Sequence, residues 1–262
     1  MFGLSRNVVA LGLVSLLTDV SSEMIYPLLP LFLTSVLGAG PTFVGLVEGI
    51  AESASSITKL FSGRLSDRLG RRKGLVVAGY TLSTLARPLV AFALAPWHVL
   101  LVRFTDRLGK GLRTSPRDAL IAGSTEPHIR GRAYGFHRSM DHLGAVAGPA
   151  LAFVFLLLMG GQLRTLFLLA AIPGILSVLI LVLRVSEIQV NSTAAPKATP
   201  GTGRLDAQLA RFLIVVTLFT LGNSSDAFLL LRAQEVGIAV AHLPLLWMFF
   251  SLVKAVTGMP GG

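Results

Sequence analysis

The chain has 262 residues, of which 53% are hydrophobic and 14% charged, with a mean hydropathy of +0.72; a soluble domain carries about 25% charged residues. That composition excludes a water-soluble globular fold, and the absence of cysteine excludes a disulfide scaffold or a cysteine metal site. A net charge of +10 and a pI of about 11.0 would suit a nucleic-acid binder, but the bases cluster beside apolar blocks, where membrane topology explains them without a nucleic-acid partner.

The apolar residues come in blocks of about 20, the length that crosses a hydrocarbon core of about 30 Å as helix. Eight spans are expected. The first runs from Asn7 to Leu37 and is broken by Pro27 and Pro30; the second covers Thr42 to Ser62 and the third Leu75 to Leu94. The fourth, Trp97 to Gly123, is rich in charge. Ala133 to Leu158, Thr165 to Leu183, Ala207 to Leu231 and Leu243 to Gly258 complete the set. Lysine and arginine mark every second connection: Arg6, the run Arg64 to Lys73, Arg130 with Arg132, then Arg184, Lys197 and Arg204. Cytoplasmic loops keep such positive charge, so both termini are expected inside the cytoplasmic (inner) membrane of a multi-pass protein.

Ionisable residues inside a span cost about 2.5–3.5 kcal/mol each at the helix centre, so they generally face a cavity or a partner. In span one Asp19, Ser22, Glu23 and Tyr26 share one helical face. In span two Glu48, Glu52, Ser55 and Lys59 repeat that spacing. Span four places Arg103, Arg107 and Lys110 together with Asp106 beside them, and span three adds Arg87. The signs are thus separated between helices, and neighbours are expected to neutralise one another. Asp19 and Glu23 are the favoured carboxylates to bind and release protons, with an arginine to hold an anionic part of the solute, whereas Glu48, Glu52 and Lys59 read as structural. Span five offers Arg138, Asp141 and His142, then Gly144, Gly148 and Pro149; span seven offers Asn223, Ser224, Ser225 and Asp226, and span eight Lys254, placed to snorkel inward.

The segment 184–206 is rich in small residues, proline and glycine and reads as a cytoplasmic linker. Its Asn191-Ser192-Thr193 matches a glycosylation acceptor by chance. A faint repeat brackets it: Ser21-Ser22-Glu23 is followed by Gly63, and Ser224-Ser225-Asp226 by Gly261.

The most specific motif is Gly63-Arg-Leu-Ser-Asp67-Arg68-Leu-Gly70-Arg71-Arg72-Lys73 between spans two and three. It resembles the signature loop of the major facilitator superfamily, Gly-x-Leu-x-Asp-Arg-x-Gly-Arg-Arg/Lys, in sequence and in position. The resemblance implies an all-α polytopic membrane protein: a complete six-helix bundle (1–183), the linker (184–206) and the first two helices of a second bundle (207–262), with truncation after the eighth span. It further implies alternating access to a site between bundles. Asp67 would then meet a helix end of the second bundle, while Arg68 and Arg71 brace neighbouring helices. Gly144, Gly148 and Pro149 partly resemble the family's antiporter motif, which packs one bundle against the other.

No phosphate loop, His-Glu-x-x-His or nucleophile elbow occurs, so the chain is not expected to be an enzyme, and no cofactor or metal is expected. The leading expectation is a secondary active transporter of a small organic solute, most simply proton-coupled export or exchange. Proton-driven uptake of an organic anion is the alternative within the class. A non-transporting scaffold, sensor or remnant is the alternative outside it, and a homodimer would complete a short form.

Overall fold

A computed structural model describes residues 3–188, 206–222 and 225–258, which are helical and contain no strands. Helix α1, Arg6–Val36, begins where the Ser5 hydroxyl accepts the Val8 N–H at 3.4 Å. Pro27 and Pro30 have no N–H to give, so regular α-helix stops at Glu23. The chain continues through a 3-10 turn, Tyr26–Leu28, and a π-helical turn, Phe32–Val36. The Thr34 hydroxyl donates to the Pro30 carbonyl at 3.1 Å, as a kinked helix in lipid requires.

Helix α2, Pro41–Leu69, has proline at its first position and stops at Gly70, whose φ of 61° is the left-handed conformation glycine adopts without strain. Most of the motif expected as a loop is therefore helix: Gly63 to Leu69 extend α2, and only residues 70–72 turn before α3. Helix α3, Lys73–Phe92, tightens to 3-10 from Arg87 onward because Pro88 follows. Helix α4, Pro96–Gly123, also starts on proline. It is followed by α5, Arg130–Leu158, and α6, Leu163–Arg184, which breaks at Ala170 because Pro173 cannot donate to the Leu169 carbonyl. Beyond residue 205 come α7, Ala207–Gly222, α8, Ala227–Glu235, and α9, Leu243–Gly258. The expected seventh span is thus divided between α7 and α8. Asn223 and Ser224, the glycosylation-like triplet and Gly261 lie outside the described residues.

Helices α1, α3 and α6, and α5 with its 3-10 lead-in, are long and apolar enough to cross a membrane by composition alone. Helices α2 and α4 have the length, 29 and 28 residues, but carry more charge. Leu60, Phe61, Leu85, Leu158 and Leu183 are between 64% and 74% exposed, giving the bundle the apolar exterior that lipid requires.

Two apolar cores lie one above the other. Toward the signature turn, Val8, Leu11, Val14, Val76, Tyr80, Leu120, Ala133 and Leu181 pack together. Toward the far end, Leu28, Phe32, Val44, Val90, Val99, Ala152, Phe167 and Ala227 do the same. The buried charged residues, Arg87, Arg103, Asp106 and Arg113, fall in the layer between. Close helix crossings fix that layer. A Cβ on Gly144 would lie 2.6 Å from the Leu16 carbonyl, and one on Gly148 2.8 Å from both the Val20 carbonyl and Glu23 Cβ. The two glycines therefore bring α5 directly against α1. Small-xxx-small spacing permits this approach in lipid.

Candidate functional site: a charged cavity between α1, α4 and α9

The polar face of α1 and the basic face of α4 turn toward each other across a cavity of about 230 Å³. Asp19, Glu23 and Tyr26 line it from α1; Arg103, Asp106, Arg107, Lys110 and Arg113 from α4; Arg87 from α3. Asp226, just before α8, and Trp247 of α9 close the remaining side. Of the expected pathway residues only Asp141 stands elsewhere.

Within this layer most charges are matched. Arg87 Nε donates to Asp106 Oδ1 at 2.9 Å and its Nη1 to the Thr18 carbonyl at 3.0 Å, which ties α3 to both α4 and α1. Arg103 Nη2 reaches both Glu48 oxygens at 3.0 Å and lies 3.7 Å from Asp106 through Nη1. The Tyr26 hydroxyl donates to Glu48 Oε2 at 3.0 Å, and the Arg103 guanidinium stands 4.6 Å from the Tyr26 ring centre. Arg113 donates to the Ser83 hydroxyl at 2.7 Å and covers the Tyr80 ring at 4.4 Å. The cross-helix neutralisation expected from the sequence is present in the Glu48–Arg103 and Arg87–Asp106 pairs, and Glu52 and Lys59 are exposed.

The helices beyond residue 205 bring one hydrogen bond to α1 at the cavity and an ion pair of their own at its edge. Trp247 Nε1 donates to Glu23 Oε2 at 2.6 Å, with its ring 5.0 Å from that of Tyr26. Lys254 Nζ pairs with Asp226 Oδ2 at 2.6 Å, so this lysine is matched to a carboxylate of its own unit instead of snorkelling alone. At the far end Gln234 donates to the Ser35 hydroxyl at 2.8 Å, while Leu31, Ala233 and Leu243 form an apolar seal.

A sequence profile described as the Major Facilitator Superfamily matches residues 11–262. The chain belongs to this superfamily. It is 35% identical over 99% of its length to an uncharacterized major-facilitator-type transporter of Methanocaldococcus jannaschii. It is also 31% identical over 51% of its length to the multidrug resistance protein MdtH of Photorhabdus laumondii. The chain spans 66% and 33% of these two relatives. Among solved structures, a bacterial homologue of the human lysosomal transporter Spinster, inward-facing and occupied, superposes with a TM-score of 0.76 at 17% identity, over 97% of this chain and 59% of that one. This likeness shows the shared fold.

The major facilitator signature turn lies at one end of this bundle. Asp67, Arg68 and Arg71 are exposed, and Gly63 faces Ser115 of α4 at van der Waals distance. The bracing that the resemblance assigned to Arg68 and Arg71 is made by the next residues. Arg72 Nη1 donates to the Ala119 carbonyl at 3.1 Å, and Lys73 Nζ to the Val182 carbonyl at 2.9 Å. The Glu187 carboxylate accepts the N–H groups of Arg72 and Lys73 at 3.0 and 2.9 Å, capping the start of α3. Arg68, in the last turn of α2, and Arg71, in the turn after it, are both exposed.

Asp141 sits off the cavity, where it accepts the Ser15 hydroxyl at 2.5 Å and lies 3.4 Å from His137 Nδ1. The buried histidine of α5 is His137, one turn before Asp141, a residue that the sequence reading did not single out. Arg113 was also missed, although it continues the spacing of Arg103, Arg107 and Lys110. Trp247 gave no signal, since a tryptophan in an apolar run has no polarity to betray its indole partner. Among the described residues no three metal-ligating side chains gather.

Proposed function

We propose that the protein is a secondary active transporter that moves a small organic solute by alternating access, with proton-coupled export or exchange as its mode. The observation that carries this is the cavity: Asp19 and Glu23 face it from α1 with no cation within salt-bridge distance among the described residues, while charges deeper in the same layer are paired. Carboxylates held that way are available to protons. They also stand where α1 meets α9, so their charge state bears on the Trp247–Glu23 contact between the two units. The name of the MdtH relative supports export. In this reading the signature turn faces the cytoplasm, both termini lie inside, residues 1–183 and 207–262 are separate bundles, and Asp67 takes part in gating.

Uptake of an organic anion is a second reading, favoured by Arg107 and Lys110, which also lack an ion-pair partner among the described residues. Reconstituted vesicles test both. Loss of proton-linked flux in Asp19→Asn and Glu23→Gln, with the cavity pairs intact, is the expected result. Unchanged flux in both variants refutes the proton role. Accumulation driven by an inward proton gradient selects uptake over export.

A further inference from the structure

The matched and unmatched charges of the cavity sort by helix. On α4, Arg103 is held by Glu48, and Arg113 by Ser83 and the Tyr80 ring, but Arg107 and Lys110 have no carboxylate within 4.0 Å among the described residues. The Arg107 Nε is enclosed and without an acceptor, and its guanidinium stands over the Tyr26 ring at 5.7 Å. On α1, among the described residues, the Asp19 side chain has no hydrogen-bond partner, and Glu23 has an indole N–H but no cation within salt-bridge distance. Among the described residues, two cations without an ion pair therefore face two carboxylates without one across the same space, more than 4.0 Å apart.

A solute with one kind of charge satisfies only half of this arrangement. An anion on Arg107 and Lys110 meets the carboxylates of α1 as like charges, and a cation on Asp19 and Glu23 meets the bases of α4. A neutral solute leaves both sets unmatched in a layer closed above and below by apolar cores, where electrostatic interactions are strong. We infer that the cavity binds a small zwitterion, with its oxyanion on Arg107 and Lys110 of α4 and its protonated amine on Asp19 and Glu23 of α1. The rings of Tyr26 and Trp247, 5.0 Å apart, supply an apolar wall for the solute's middle. A volume of about 230 Å³ is below the roughly 300–1,000 Å³ of drug-sized pockets, which sets the solute at amino-acid size. This inference rests on the transport reading above and adds the substrate class to it.

The test uses matched trios on one skeleton: alanine, propanoate and ethylamine; leucine, 4-methylpentanoate and 3-methylbutylamine; phenylalanine, 3-phenylpropanoate and phenethylamine. Each is titrated against the thermal unfolding of the protein purified in detergent, because a ligand that binds only the folded state raises its midpoint. In at least one trio the amino acid is expected to half-saturate at a concentration at least tenfold below its carboxylate and its amine. Arg107→Gln should abolish the preference over the amine, and Asp19→Asn the preference over the carboxylate, with Glu23→Gln as the second probe if Asp19→Asn does not fold. A carboxylate or amine that binds within threefold of its amino acid in every trio overturns the inference, as does the absence of any shift. Vesicle flux on the same preparation separates the two readings. Flux of a singly charged or neutral solute leaves transport standing and removes the zwitterion, whereas no flux of any solute removes transport itself.

Discussion

The Arg87–Asp106 pair is the sharpest test of how the charged layer holds together. Both side chains are 7% exposed, and Asp106 has one further cation, Arg103, at 3.7 Å. Removing one member of a buried pair costs about 3–5 kcal/mol, because the other charge is left behind. With Arg103 still nearby, Arg87→Met should fall at the lower end, about 3 kcal/mol. Asp106→Asn leaves Arg87 on the Thr18 carbonyl and should cost about 2.5 kcal/mol, the range of a charged hydrogen bond. The double variant removes both charges together and is expected to lose about 2 kcal/mol less than the sum of the singles. At about 2–4 °C per kcal/mol for a chain of this size, Arg87→Met should lower the unfolding midpoint by about 6–12 °C. The double variant should lower it by about 7–14 °C, against about 11–22 °C for independent losses. Thermal unfolding in detergent, repeated by denaturant titration, gives all four corners of the cycle. Additivity within about 0.5 kcal/mol would refute the coupling.

Other parts of the structure make equally concrete demands. Gly148→Leu should destabilise by at least about 1–3 kcal/mol, since its Cβ meets the Val20 carbonyl and Glu23 Cβ at 2.8 Å. Gly49→Ala, where nothing lies within 4 Å, should instead stabilise by about 0.5–1 kcal/mol in the same unfolding assay. Glu187→Ala removes the acceptor for two amides and should cost about 1 kcal/mol, seen as faster hydrogen exchange confined to residues 72–76. Trp247→Phe keeps an aromatic ring beside Tyr26 but removes the donor to Glu23. It should shift the pH dependence of flux more than its maximum, and an unshifted profile would detach that bond from proton coupling.

Much of the fold was legible because lipid imposes long apolar helices, and because proline and glycine mark where they bend or stop. The ends of α4 and α9 fell where the apolar blocks predicted. Helix α2 overran its predicted end because residues 63–69 are polar and still helical, and hydropathy cannot see a helix that continues into water. The cavity was legible from periodicity on α1 and α4, since charges three and four residues apart share a face. Which cation meets which carboxylate was not, because that depends on the rotation and depth of one helix against another. Asp141 illustrates this. Its type and position suggested the pathway, but the crossing of α5 over α1 at Gly144 sets it against Ser15, with His137 one turn earlier on its own helix. Glu187 lies outside every apolar block and carries no motif, so nothing in the sequence linked it to residues 72 and 73.

That last contact gives α3 the character of a lever. Its near end is riveted by Glu187, one residue before the described part of the first unit ends, and fourteen residues on Arg87 grips Asp106 and the Thr18 carbonyl. At 1.5 Å per residue the two attachments are about 21 Å apart along a single rod. A displacement of Glu187 is therefore passed along α3 to the charged layer, so the end of the first described stretch and the cavity are joined by one rigid element.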